Sequence, residues 1–245
     1  MERVLFSQRD KRWSDIHLGT AGGMFIGGAG CLLSVSAAML RETFSVSVDP
    51  GVLNRWLCRN SGYTHGNLLV FDALRRAALE LGGVELAVRV IDCANVPAPL
   101  DQIDATLDGG GGVLVLVDFH PGGAIQQHWI RILERDASGG EADYIVHDPW
   151  LPAAVNPYRL MPRYAHYSWS SPARVIFRIV LYRQAGDAGA LPPASKAGAV
   201  NEAQEKLFLN LDTPGEIMTF TTESHAPADA YTIACGGGYC TVTHS

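Results

Sequence analysis

The sequence predicts an α+β fold in which N-terminal helices pack on an antiparallel sheet. Two patterns lead to this class. Up to Leu81 the bulky apolar residues recur at helical spacing, whereas from Val84 onward they alternate or run continuously, as they do in strands. A third feature organises the first part. Gly27-Gly28-Ala29-Gly30 is a glycine-rich turn that delivers Cys31 to the mouth of an apolar helix.

The elements follow in order. Phe6 to Gly19 is a polar loop anchored by Trp13. After it, Leu32, Leu33, Val35, Met39, Leu40 and Phe44 repeat near a 3.6-residue period and give the Cys31 helix a face to bury. Asp49-Pro50 is a helix start, a capping acid followed by proline at the first position, with Leu53, Trp56 and Leu57 as its stripe and Asn60-Ser61-Gly62 as its end. Asn67 to Leu81 reads as the next helix, stopped by Gly82-Gly83. Val84 to Ile91 alternates as a strand and Leu100 to Leu107 is a short helix. Val113 to Val117 is an unbroken run of Val and Leu, the pattern of a strand buried on both faces. His128–Leu133 and Tyr144–His147 flank Ser138-Gly139-Gly140 as a strand–turn–strand, and Arg174 to Tyr182 is a last strand. This predicts a domain over residues 1–183, a linker rich in Ala, Gly and Pro over 184–200, and a tail, 201–245, sparse in bulky apolar residues.

Composition narrows the function classes. A net charge of −6 with a pI near 5.7 gives no electrostatic footprint for nucleic acid or an anionic membrane. No window approaches the ~18 consecutive apolar residues of a membrane span. Charge interrupts Met1 to Asp10 throughout, unlike a signal peptide, and five scattered cysteines are not a disulfide framework for 245 residues. The expected setting is therefore a reducing cytoplasm, or release from it by lysis or a delivery system.

The chemistry-bearing residues are few. A cysteine in the first turn of a helix meets free backbone N–H groups and the positive end of the helix dipole, both of which favour a thiolate. The bland alternative is a small buried hydrophobe. His128 and Asp148 are symmetric about residue 138, inside the expected turn, so an antiparallel ladder would set them across from each other with Cβ atoms about 5 Å apart. There the carboxylate holds the ring in one tautomer and stabilises the imidazolium, while the other nitrogen faces a nucleophile. An ordinary cross-strand ion pair is the alternative. The side-chain N–H₂ of Gln8 is a donor of the kind that lines an oxyanion hole. Cys31, His128 and Asp148 are also metal-ligand types, but without C-x-x-C or H-x-x-x-H spacing they imply no metal, and no motif implies a cofactor.

Gln8-Arg9-Asp10…Trp13…Leu18-Gly19, Gly30-Cys31 with Ser36-Ala37-Ala38-Met39, His128-Trp129 and Asp148-Pro149-Trp150, in that order, resemble the C39-like peptidases of the papain-like cysteine peptidase superfamily. The similarity covers residues 1 to about 183. Asp49-Pro50…Leu53-Asn54 and Gly62-Tyr63…Gly66-Asn67-Leu68 are also similar to the stretch between Cys and His in phage and bacterial members. The resemblance implies a papain-like fold and a thiol protease. Cys31 would be its nucleophile, His128 the general base and then general acid, and Asp148 the orienter; Gln8 and the Cys31 N–H would form the oxyanion hole. The Cys-Gly-Ser-Cys-Trp signature of papain itself is absent, and no ATP-binding or membrane region follows as in transporter-fused members. The expected substrate is a peptide or protein, including the leader or precursor peptides that such enzymes process.

Other residues carry less. Cys58 reads as core, Cys93 as a bystander thiol, and His120-Pro121-Gly122-Gly123 as a loop before His128. His147 should point away from Asp148 on its strand. The tail places Lys206-Leu207-Phe208-Leu209-Asn210-Leu211-Asp212 ahead of a Ser/Thr-rich stretch and the segment from Ala234-Cys235 to Tyr239-Cys240, and resembles the leader and core of a lanthipeptide-type precursor. Residues 201–245 are thus either a candidate substrate joined to the peptidase or a disordered segment. Two other functions compete: a catalytically silent leader-binding module, which would not need the sulfur, and a phage-type hydrolase of cell-wall peptides, which zymography would reveal.

Overall fold

The computed structural model describes residues 3–120, 126–136, 143–164, 171–186, 217–220, 231–236 and 239–244. The described residues up to 186 form one unit and those from 217 onward a second. In chain order the first contains α1 (Ile26–Ala29), α2 (Cys31–Phe44), α3 (Pro50–Arg59), β1 (Tyr63–Thr64), β2 (Leu68–Leu69), α4 (Phe71–Gly82), β3 (Leu86–Asp92), α5 (Leu100–Asp108), β4 (Gly112–Asp118), β5 (Gln127–Asp136), β6 (Asp143–His147), a 3-10 turn (Ala153–Val155), β7 (Tyr158–Arg159), α6 (Leu160–Tyr164), α7 (Pro172–Val175) and β8 (Arg178–Gln184). The second contains β9 (Ile217–Phe220), β10 (Tyr231–Gly236) and β11 (Tyr239–His244), an antiparallel sheet ordered β11-β10-β9 in which Cys235 is in register with Cys240.

The first unit is α+β. Its sheet has six strands in the order β3-β8-β4-β5-β6-β7, every pair antiparallel. Alternation along the strands divides the core in two. Leu114, Leu116, Trp129, Val180 and Tyr182 join the apolar residues of α2, α3 and α4. Val113, Val115, Val117, Ile130 and Ile132 join Ile103 of α5, Leu160 and Tyr164 of α6 and Val175 of α7. The central strand β4 is buried along its whole length, which is why its sequence does not alternate. The sheet therefore carries helices on both sides, beyond the N-terminal set expected on one. In α2 every residue from Leu33 to Leu40 is buried. It is enclosed all round, and the two serines and two alanines in that run let neighbours approach closely.

Several boundaries differ from the sequence expectation for local reasons. Residues 67–70 are not helical. Leu68–Leu69 pairs with Tyr63–Thr64 across a turn in which His65 and Gly66 both have positive φ, and α4 begins at Phe71. The segment from Arg174 is first helix and only then strand, because Pro172 behind Ser171 starts a helical turn. The short β7 and α6 carry too few residues for a periodic signal. Asp49 caps α3, its Oδ1 accepting from the Val52 N–H at 2.8 Å. The Ser138-Gly139-Gly140 turn, the linker from residue 187 and the 206–212 box lie outside the described residues.

Candidate active site

Cys31 is the first residue of α2, and Gly30 is its N-cap. Gly30 has an ordinary negative φ of −87°, so it is not there for a left-handed turn. It is needed for space: a Cβ would fall 2.6 Å from the Ile26 carbonyl oxygen and 2.7 Å from Ile26 Cγ2. The close join between α1 and α2 sets the Cys31 sulfur at the helix mouth, where the residue remains partly exposed. Burial pushes the thiol up, but hydrogen bonding and charge from His128, with the Trp129 and Leu32 backbone N–H groups, outweigh it and hold Cys31 below the ordinary thiol value. Trp129 can take part because β5–β6 pairing ends at Arg131 and His147, two residues short of it.

His128 and Asp148 come together, although not as directly opposed ladder partners. Ladder pairs are Arg131 with His147 and Ile132 with Val146, then a bulge shifts the register to Glu134 with Ile145. Asp148 thus lies just beyond β6, and continuing the ladder would set it opposite Ile130. It meets His128 along the diagonal of the same face, with His128 Nε2 2.8 Å from Asp148 Oδ1. That leaves Nδ1 for the sulfur. Burial opposes a charged ring, but hydrogen bonds to Asp148 and Cys31 and their charges raise His128 to about 9. Burial likewise opposes the carboxylate, and His128, Tyr164 and the Trp150 N–H together lower Asp148 to about 2. The imidazolium and the carboxylate thus face each other as an ion pair, and the His128 charge favours the thiolate form of Cys31.

The carboxylate is fully buried and held from every side. Tyr164 donates its hydroxyl to Oδ2 at 2.6 Å, the Trp150 N–H donates to Oδ1 at 2.9 Å, and Arg163 Nε is 3.5 Å from Oδ2. Asn156 fixes the backbone: its Oδ1 accepts from the Asp148 N–H at 2.9 Å and its Nδ2 donates to the Asp148 carbonyl at 3.0 Å. Phe119 covers His128 with ring centroids 4.7 Å apart, and Trp150 packs on Phe119 in turn. No sequence signal pointed to Phe119, Asn156 or Tyr164, since each is tied to the site only by folding.

Gln8 is buried beside the turn that precedes Cys31. Its Nε2 donates to the Gly27 carbonyl at 3.1 Å, which fixes the amide orientation and leaves its second N–H for another acceptor. The backbone N–H of Gln8 donates to the Pro149 carbonyl at 2.7 Å. One residue therefore ties the Cys31 turn to the Asp148 turn.

The remaining candidates lie elsewhere. His147 is fully buried and points to the Phe6 carbonyl, not to Asp148. Cys58 is only partly buried, its sulfur 3.1 Å from the Gly19 carbonyl oxygen, so it is not core. Cys93 is buried, and burial with the Asp92 charge raises it to about 12, an inert thiol. His120 packs against Phe119, and residues 121–125 lie outside the described set. Among the described residues no group of three or more His, Cys, Asp or Glu is arranged to hold a metal ion. Among the described residues no helix is long and apolar enough to cross a membrane.

The ion pair makes a prediction. Iodoacetamide should alkylate Cys31 quickly well below the ordinary thiol range. In His128→Ala the pH midpoint should rise toward or past the ordinary thiol value, and the rate at pH 6 should fall sharply. Rate against pH, followed by intact mass, checks it. The chain matches no protein-family model and no curated protein.

Proposed function

We propose that the chain is a papain-like cysteine peptidase of the C39-like type, acting on peptide or protein substrates. One observation carries the reading: the 2.8 Å bond between His128 and Asp148 on one side of the ring, with Cys31 at a helix N-terminus on the other. A buried structural ion pair has no need of a helix-terminal cysteine beside it whose thiol is held below its ordinary value.

The chemistry follows from the charges. The Cys31 thiolate attacks the scissile carbonyl carbon and a C–S bond forms as the carbonyl π pair moves to oxygen. The second N–H of Gln8 and the Cys31 backbone N–H stabilise that oxyanion. Its collapse breaks the C–N bond, and the His128 imidazolium gives its proton to the leaving amine. His128, now neutral, takes a proton from water, hydroxide adds to the acyl carbon, and C–S cleavage returns the thiolate and the imidazolium. Asp148 remains ionised throughout and keeps the ring aligned.

Intact mass after incubation of the full chain at pH 7–8, with and without prior iodoacetamide, tests the proposal. Alkylation at Cys31 alone should abolish every cleavage the untreated chain performs, on a pool of diverse decapeptides or on itself. Loss of a C-terminal fragment would identify residues 201–245 as a substrate. An inert Cys31 and an uncut peptide pool would overturn the proposal and favour a binding module.

A further inference from the structure

From residue 3 to residue 10 the segment that carries Gln8 has neither helix nor strand. Phe6 packs on the buried Trp13, and a series of polar contacts holds the rest of the segment to the body. Glu42 of α2 accepts from the Val4 N–H at 2.6 Å and pairs with Arg3 and Arg131. His147 Nε2 is 3.1 Å from the Phe6 carbonyl oxygen. Ser7 Oγ and the Gln8 N–H both donate to the Pro149 carbonyl, and the Arg9 guanidinium lies 4.8 Å above the Trp150 ring. Among these, His147 is the one made by a fully buried side chain of a sheet strand, and it sits next to Asp148 in sequence.

The partner of Nε2 is a carbonyl, an acceptor only, so this nitrogen carries the hydrogen. Nδ1 is buried with no hydrogen-bond partner, which leaves the ring neutral. Burial first, and the Arg131 charge next, keep it so, down to about pH 3. A neutral, buried histidine with one bond made and one nitrogen left unsatisfied is a costly way to fill space. Its single bond is made to the residue two before Gln8.

We propose that His147 is a positioning residue for the oxyanion hole: its Nε2–H holds the Phe6 carbonyl and so fixes where the Gln8 amide stands relative to Cys31. This rests on the peptidase reading above. The last residue of β6 and the one after it then serve both halves of the site from opposite sides of the chain. Asp148 aligns the base and His147 aligns the arm that bears the oxyanion donor.

Two reagents separate this role from a general structural one. Acetylation of Cys31 by p-nitrophenyl acetate passes through a tetrahedral oxyanion, whereas alkylation by iodoacetamide is a direct displacement that needs none. His147→Leu removes the donor, His147→Asn keeps an N–H too short to reach, and His147→Gln restores a donor near the Nε2 position. In the full chain, Leu and Asn should lower the acetylation rate roughly ten- to a hundredfold, part of the effect of losing an oxyanion donor outright. The iodoacetamide rate and its pH midpoint should not move. Gln should recover most of the acetylation, and neither Leu nor Asn should add to the defect of Gln8→Ala. Equal loss with both reagents, or no loss with Asn, overturns the proposal. A wild-type Cys31 inert to both reagents instead overturns the peptidase reading itself.

Discussion

Cys31→Ala and His128→Ala should each reduce peptide-bond hydrolysis by roughly a millionfold, and the double variant should be no worse than either single one. The reason lies in the pairing. Without His128 the sulfur loses the charge that overcomes its burial and becomes a thiol, a poor nucleophile, while the leaving amine loses its proton source. Without the sulfur, His128 has nothing to activate. Two groups that form one device do not contribute separately, so their effects saturate. Release of new N-termini from a decapeptide pool, with the four proteins compared at pH 7, measures this. Additive losses would show the two residues acting independently and would break the proposed mechanism.

Asp148→Asn should lower turnover by about four powers of ten while the fold persists. The amide keeps the shape, but its one oxygen can accept from the Trp150 N–H or from Tyr164 and not from both, and it neither carries the charge that balances the imidazolium nor enforces the productive tautomer. The same substitution should change acid stability. In the folded chain the Asp148 carboxyl is lowered to about 2 from its ordinary 3.8. A carboxylate depressed in the folded state stabilises it fully above the unfolded value and loses that contribution as pH falls through the folded one. The gap amounts to about 2 kcal/mol, present at pH 5 and withdrawn between about pH 4 and 2. Thermal unfolding against pH should therefore drop over that window in the wild type and be flatter in Asp148→Asn. Wild-type turnover in this variant would remove Asp148 from the mechanism.

The local patterns were legible because they repeat along the chain. Helical spacing after Cys31, the Asp49-Pro50 start and the unbroken run of β4 each reflect one element meeting one kind of surface. Cys31 at a helix mouth followed from the glycine turn before it, although the structure gives Gly30 a packing reason and not a conformational one. The pairing of His128 with Asp148 was legible only as a neighbourhood. Counting residues from the turn set the two face to face, whereas the bulge after Ile132 and the end of β6 at His147 make them diagonal partners. A bulge costs one residue of register and leaves no reliable mark in composition.

By itself, then, the sequence determined the α+β class, the order of the longer helices and strands and the residue types able to do thiol chemistry. These are set by short-range periodicity, by capping and by what each side chain can donate or accept. Only the tertiary structure decided how those types are held. Tyr164 and Asn156 reach Asp148 from 16 and 8 residues away, and His147 reaches Phe6 across 141. Such contacts form because burying a charge or a backbone group without a partner is costly, and the nearest available partner is settled by how helices and strands pack, not by their spacing along the chain.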